Sequence, residues 1–269
     1  MSAAALLFGS LAGLCVLFAA AFFAARAWDN YSIVDVVWSY AFGLLAVGIA
    51  LAQGEWTART LLFTTLVGLW SLRLGTHLFR RIASHHPVED GRYTEMRRRW
   101  AGRFAPTMFG FFQLQAVSVL LLAWPYFLVL RNPTPGLAPL EIAGAALWLG
   151  ALLGEAVADA QLRAFKRSGG PGRVCDRGLW RYSRHPNYFF EWLVWVALFL
   201  FASATPLGWL SLLSPLVMLL LLLRITGIPT TEEQALRSKG EAYRDYQRRT
   251  PRFFPWFPRP VHTPPPVTP

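Results

Sequence analysis

Two runs of residues near the C-terminus carry side chains able to do chemistry. One is GLWRYSRHPNYFFEW, Gly178–Trp192. The other begins with TEEQ at Thr231–Gln234 and continues as GEAYRDYQRRTPRFFP, Gly240–Pro255. Each sets basic, aromatic and amide groups at the edge of a long apolar segment. Polar groups there are costly to hold against a membrane, which marks them as candidates for binding something polar. Pro186 suits the first position of a helix, with its missing N–H and preset φ. His185 or Ser183 would then cap. The free N–H groups and positive end of such a helix favour an anion, and Arg181 and Arg184 add charge. Asn187 and Glu191 are four apart and share a face. An amide and a carboxylate so placed can hydrogen-bond a ribose or a carboxamide. The plainer alternative is that Asn187 caps and Glu191 pairs with a nearby arginine, and the local residues leave both readings open.

Upstream, Glu155, Asp159, Arg163 and Arg167 also recur at four-residue intervals, so two carboxylates line one helical face just where the chain turns basic. Salt bridges at a helix end account for Arg163 and Arg167. They account less well for Glu155, which has apolar residues on most sides. The C-terminal segment adds Tyr243, Tyr246, Arg248, Arg249 and Arg252. It can lie on anionic lipid with Phe253, Phe254, Trp256 and Phe257 as anchors, and can also close over a helical bundle. Other chemistries lack their signatures. There is no GxGxxG after a strand, no GxSxG and no Cys/His metal spacing; Gly169, Gly170, Pro171 and Gly172 read as a turn, and His85-His86 as a polar loop.

These groups must be positioned by membrane helices. The chain has 269 residues, of which 54% are hydrophobic and 15% charged, with twelve Trp. Seven apolar runs appear: Ala3–Ala25, Ile33–Ala52, Leu61–Phe79, Thr107–Leu130, Pro139–Ala158, Phe189–Ser203 and Leu207–Leu223. Most approach the roughly 20 residues that cross a bilayer, and only helices or closed barrels satisfy the backbone there. The first run is too long for a signal-peptide core and has no charged leader, so it is read as a span. The expected architecture is an all-α integral membrane protein of seven spans. Residues 1–130 would form a substrate cavity and 139–258 the cofactor-binding helices and loops. A tail at 259–269 would be disordered.

The net charge of +11 has a direction. With seven spans, one side receives 23 Lys and Arg and the other only Arg59 and Arg131; Arg73 lies within the third span. That split fits the positive-inside rule, with the N-terminus outside and the C-terminus cytosolic. Basicity therefore requires no nucleic acid, and no nucleic-acid module is present. Cys15 and Cys175 imply neither a disulfide framework nor a metal site. The expected location is a bacterial inner membrane, or the endoplasmic reticulum of a eukaryote. The expected partners are the bilayer and an apolar small molecule, with no protein partner evident.

Gly178–Trp192 resembles the C-terminal signature of the steroid 5-alpha-reductase family, and the sterol reductases carry a related stretch. The resemblance extends from Asp35–Trp38 and Trp70–Leu74 through Glu89–Tyr93 to Pro255. It implies a seven-helix membrane reductase that binds NADPH among its C-terminal helices and reduces a conjugated enone such as a 3-oxo-Δ4-steroid. Asp159, Arg163 and Lys166 fall on the family's acidic and basic positions in the fifth helix, and Asn187 and Glu191 on its Asn and Glu in the sixth. Tyr182, Arg173, Arg184 and His185 join the implied cofactor set, with Tyr243, Tyr246, Arg248 and Arg249 from the closing segment. Gln53, Glu55 and His77 stand nearest the positions that polarise the substrate carbonyl.

Two other classes compete. Isoprenylcysteine and phospholipid methyltransferases also carry Arg-His-Pro-x-Tyr and a later Glu-Glu with Gly, Tyr, Tyr and Pro-Arg. Glu232, Glu233, Gly240, Tyr243, Tyr246, Pro251 and Arg252 fit that pattern, which implies S-adenosylmethionine. Asn187 paired with Glu191, and Asp159 followed by Lys166, favour the reductase. A non-enzymatic sterol or lipid binder would have the polar cluster without turnover.

Overall fold

The computed structural model describes residues 2–168, 172–225 and 227–259. The tail predicted at 259–269 lies, beyond Arg259, outside the described residues, as do Gly169, Gly170 and Pro171 of the predicted turn. Every regular element among the described residues is helical: α1 Ala3–Ala27, α2 Ile33–Gln53, α3 Ala58–His85, α4 Gly91–Arg99, α5 Phe104–Leu122, α6 Trp124–Val129, α7 Pro139–Ser168, α8 Pro186–Ala202, α9 Leu213–Leu220, α10 Ile228–Lys239 and α11 Glu241–Arg249.

Among the described residues, five helical stretches are long and apolar enough to cross a membrane: Ala3–Ala27, Ile33–Gln53, Ala101–Leu122, Pro139–Ser168 and Gly208–Lys239. Two of the seven expected runs fall short for physical reasons. α3 carries Arg59, Arg73, Arg80 and Arg81, which dilute its apolarity. α8 is apolar but has only 17 residues. The run expected at 107–130 is interrupted, because α5 ends at Leu122 and α6 restarts with Pro125 in its first turn. In the last stretch the apolar residues end at Ile225, and α10, with its Thr-Thr-Glu-Glu start, is polar.

The helix starts follow local chemistry. The Ser2 hydroxyl accepts from the Ala5 N–H, Thr57 from Thr60 and Asp90 from Arg92, each satisfying an N–H that the helix itself leaves free.

The chain forms two compact units, residues 1–145 with 198–214, and residues 146–197 with 215–269. α7 and α8 each run from one unit into the other. The core of the first unit is aromatic: Phe18, Phe42, Phe63, Trp70, Phe112, Tyr126 and Phe201 are fully buried. A deeply buried ion pair joins Arg59 of α3 to Glu141 of α7, and the same guanidinium donates to the Gly136 carbonyl at 2.9 Å. A second polar knot ties the start of α4 to the start of α2. The Tyr93 hydroxyl donates to Asp35 at 2.7 Å, and Arg92 bridges Asp35 at 2.6 Å and Asp90 at 3.1 Å. The two carboxylates hold the Arg92 guanidinium firmly charged, and Asp90 sits below its usual carboxylate range because of the same arginine. This knot accounts for the Asp35 and Glu89–Tyr93 segments noted in the sequence.

Candidate functional site

The second unit gathers most of the residues singled out in the sequence. α7 and α8 run antiparallel and close together because Gly154 has no side chain. A Cβ there would lie 2.3 Å from the Phe190 ring. That contact sets the register, and the Asn187 amide of α8 consequently reaches Asp159 of α7 at 3.3 Å. One turn further along the same two helices stand Glu155 and Glu191, both buried. The Glu191 carboxylate accepts from the Trp195 indole N–H at 3.1 Å. Asn187 thus faces α7. Just before the helix, the Ser183 hydroxyl oxygen accepts from the His185 N–H at 3.1 Å while its proton goes to the Phe253 carbonyl at 2.8 Å.

The segment before α8 is held by three further contacts. Leu179 N–H donates to the Gln161 side chain at 2.9 Å, and the Trp180 indole donates to the Ala158 carbonyl at 2.9 Å. Gly178 has φ +58°, and a Cβ on it would meet Gln161 at 2.5 Å, so both its backbone and its surroundings require glycine. Together these contacts fix the motif against α7.

Glu232 of α10 is the centre of the motif's charge. It pairs with Arg184 at 2.8 Å, with His185 at 3.2 Å and with Arg252 at 3.8 Å, and accepts from Gln247 at 3.3 Å. Arg184 also donates to the Gln247 carbonyl at 2.9 Å, and its own N–H donates to Pro251. One half-buried carboxylate thus ties the Arg-His-Pro motif to the C-terminal segment. Burial lowers the His185 pKa against the opposing pull of Glu232, which lies within hydrogen-bond reach of the ring Nε2. The Glu232 pKa is itself lowered; burial works against this, and the partners His185 and Arg184 outweigh it. Tyr243 and Tyr246 are buried beside this cluster and both titrate well above the usual phenol range, chiefly through burial. The Tyr246 hydroxyl donates to the Trp180 carbonyl.

The sequence-predicted cofactor residues therefore fall into two groups. Arg184, His185, Tyr243 and Tyr246 are built into the Glu232 cluster and hold the fold together. Arg248 is exposed and paired with Glu241 and Asp245 on its own helix, and Arg249 faces Asp176 at 3.6 Å; neither joins Asp159 and Asn187. The second group is different. Arg163, Lys166 and Arg167 at the end of α7, with Arg173 beyond it, are exposed, and no ion pair engages them among the described residues. Arg173 rests over the Phe165 ring at 5.9 Å. The field of Lys166 adds to burial in lowering the pKa of Lys239, so these cations share one region. Tyr182 is 38% exposed at the rim, with its carbonyl held by the Trp256 N–H at 2.9 Å.

The three residues expected to polarise a substrate carbonyl are not one site. Gln53 ends α2, Glu55 is exposed in the loop that follows, and His77 is the twentieth residue of α3. At 1.5 Å per residue, that helix carries His77 about 28 Å from its own start beside the loop. No small oxygen meets both ends. Glu232, which the sequence offers only within the methyltransferase-like pattern, is the carboxylate at the centre of the motif. Its signal is a Glu in an ordinary polar helix, and only the fold brings it to Arg184 and His185, 47 residues away from the latter.

A family model described as a protein of unknown function (DUF1295) matches residues 21–250. An uncharacterized protein of Schizosaccharomyces pombe is 27% identical over 260 residues, covering 84% of this chain and 73% of the relative. No solved structure matches the chain.

Proposed function

The chain belongs to the DUF1295 family, and we propose that it is a membrane reductase that saturates the conjugated double bond of an apolar enone, a 3-oxo-Δ4-steroid or a similar compound, with NADPH as reductant. The observation that carries this reading is the pairing of Asn187 with Asp159 next to exposed basic side chains that engage in no ion pair among the described residues. An unneutralised group of Arg163, Lys166 and Arg173 is what a diphosphate requires. A carboxylate and an amide one to two turns away suit sugar hydroxyls and a carboxamide, so the residues present fit the cofactor.

NADPH, when bound, supplies the hydride. The chain's own residues bind, orient and exclude water. Arg163, Lys166 and Arg173 hold the phosphates, Asp159 and Asn187 the polar groups further in, and Glu191 is steadied by Trp195. The Glu232 cluster, with Tyr243 and Tyr246, locks the segment that carries Tyr182 and Asn187, so the first turn of α8 is rigid before anything binds. Such preorganisation is where a protein contributes most to a charge-developing reaction. Seven crossings, with α3 and α8 included and the C-terminus in the cytosol, place every basic cluster on the side where the cofactor is available.

A second reading rests on one observation. Glu232, Tyr243, Tyr246 and Arg252 converge as the methyltransferase pattern requires, and that reading makes the cofactor S-adenosylmethionine. Incubation with NADPH deuterated at nicotinamide C4 and a 3-oxo-Δ4-steroid separates the two. The reductase reading predicts deuterium in a ring-saturated product, lost in Asn187→Ala and Glu191→Ala. Labelled methyl transfer from S-adenosylmethionine to a lipid or carboxylate would decide for the other.

A further inference from the structure

An α5 side chain outside everything described so far stands on the inner face of the first unit without being buried. Met108, Phe112, Ala116, Val119 and Leu122 mark the buried face of α5. Gln115 falls inside that arc, seven residues from Met108 and Leu122, three from Phe112 and four from Val119. Those neighbours are fully buried, yet Gln115 keeps accessible surface. The same holds across the interface. Trp38 lies within the buried arc of α2, four residues from both Val34 and Phe42, and is likewise only half-buried. Two inner-face residues at one level thus both retain surface that a small molecule can reach.

The hydrogen bonds there have a direction. The Trp38 indole can only donate, and its N–H goes to the Ser118 hydroxyl oxygen at 2.9 Å. The single proton of Ser118 is then free to donate to Gln115, whose backbone carbonyl is at 2.8 Å and side-chain Oε1 at 3.2 Å. Of the two acceptors the backbone carbonyl takes the larger share of that proton and Oε1 the smaller, which biases the amide Nε2 away from Ser118. That Nε2 donates no hydrogen bond among the described residues. An amide within an apolar span is costly and is a functional candidate by default.

We infer that the Gln115 amide, oriented by Trp38 through Ser118, is the hydrogen-bond donor that receives the carbonyl oxygen of an apolar ketone in the first unit. This rests on the reductase reading for the identity of the ketone. It supplies the carbonyl-holding residue that Gln53, Glu55 and His77 do not jointly provide. A neutral amide holds a carbonyl without adding a charge to the bilayer interior, and its grip tightens as negative charge grows on the oxygen. Ser118 and Trp38 are positioning residues.

The test is the infrared spectrum of a 3-oxo-Δ4-steroid, labelled with oxygen-18 at C3, bound to the purified full chain in nanodiscs. The wild type is expected to shift the carbonyl stretch to lower frequency. Gln115→Leu should abolish the shift and weaken steroid binding roughly fivefold, the worth of one hydrogen bond. It should also lower kcat about a hundredfold while leaving stabilisation by NADPH unchanged. Gln115→Asn, which keeps the amide on a shorter stem, should restore part of both, and Ser118→Ala should give a weaker, broader carbonyl band. Should Gln115→Leu fail to fold, the wild-type and Gln115→Asn spectra decide. An unshifted carbonyl in the wild type overturns the inference, and so does a normal shift in Gln115→Leu. A shifted carbonyl with no response to NADPH keeps the assignment and removes the reductase reading instead.

Discussion

Replacing Glu232 by alanine removes the one carboxylate that faces Arg184, His185, Gln247 and Arg252. The Arg184 and Glu232 side chains are 9% and 12% exposed and 2.8 Å apart, so their charges are shielded by little water. At an effective dielectric near 20 a contact pair attracts by about 4 kcal/mol. Removal of one partner of a buried pair costs about 3–5 kcal/mol, because the other charge stays behind. Arg252 is 45% exposed at 3.8 Å and adds little. A loss of about 3 kcal/mol corresponds to a fall in Tm on the order of 6–12 °C for a chain of this size. Thermal unfolding in detergent, followed by tryptophan fluorescence, measures it. Glu232→Gln should recover part of the loss, since an amide still accepts from His185. A Glu232→Ala protein that melts within about 1 °C of the wild type would show that the cluster is solvated and that the account of the motif is wrong.

Further outcomes follow from the same geometry. Acid should destabilise the native protein in two steps. His185 has a folded pKa below its ordinary 6.5, so the stability linked to its neutral form is present above that value and is lost as pH falls through it. Glu232 has a folded pKa below its ordinary 4.5, so its contribution is present above that value and goes at lower pH still; a Tm that rises on acidification from pH 7 to 5 would refute the assignment. Gly178→Ala, at φ +58° and 2.5 Å from Gln161, should cost about 1–3 kcal/mol in thermal unfolding, and an unchanged Tm would mean that the loop is free to adjust. Arg163→Ala and Lys166→Ala should each weaken NADPH binding by about fivefold at low salt and less at high salt. Arg248→Ala, already paired with Glu241 and Asp245, should change the NADPH Kd by less than about twofold in the same titration.

What could be read from residues alone was whatever depends on neighbours in the chain. The membrane helices follow from apolar length, and the start of α8 from Pro186. The four-residue spacing of Asp159 with Arg163 and of Asn187 with Glu191 placed each pair on one helical face. What pairs those faces does not reside in either spacing. The α7–α8 register depends on Gly154 admitting Phe190, a contact between residues 36 apart. The same limit explains the divided fate of the arginines. Arg184 and Arg163 look alike in sequence, but only Arg184 meets a half-buried carboxylate. Glu55 and His77 belong together only through the family resemblance, and the length of α3 separates them. Gln115 gave no signal by type, because a lone glutamine in an apolar run acquires meaning only when its own arc proves buried around it. The break at Ala123 reflects Pro125, which hydropathy averages over.

The central claim is that the second unit holds NADPH against Asp159, Asn187 and the basic end of α7. Its most direct test is the melting temperature of the purified full-length chain with each candidate cofactor in turn, since a ligand that binds only the folded state must stabilise it by mass action, by about 2.7 kcal/mol at a hundred times Kd. The account predicts that NADPH raises Tm, that S-adenosylmethionine leaves it unchanged, and that Asn187→Ala abolishes the NADPH response while melting near the wild-type temperature without ligand. A rise with S-adenosylmethionine and none with NADPH would contradict it.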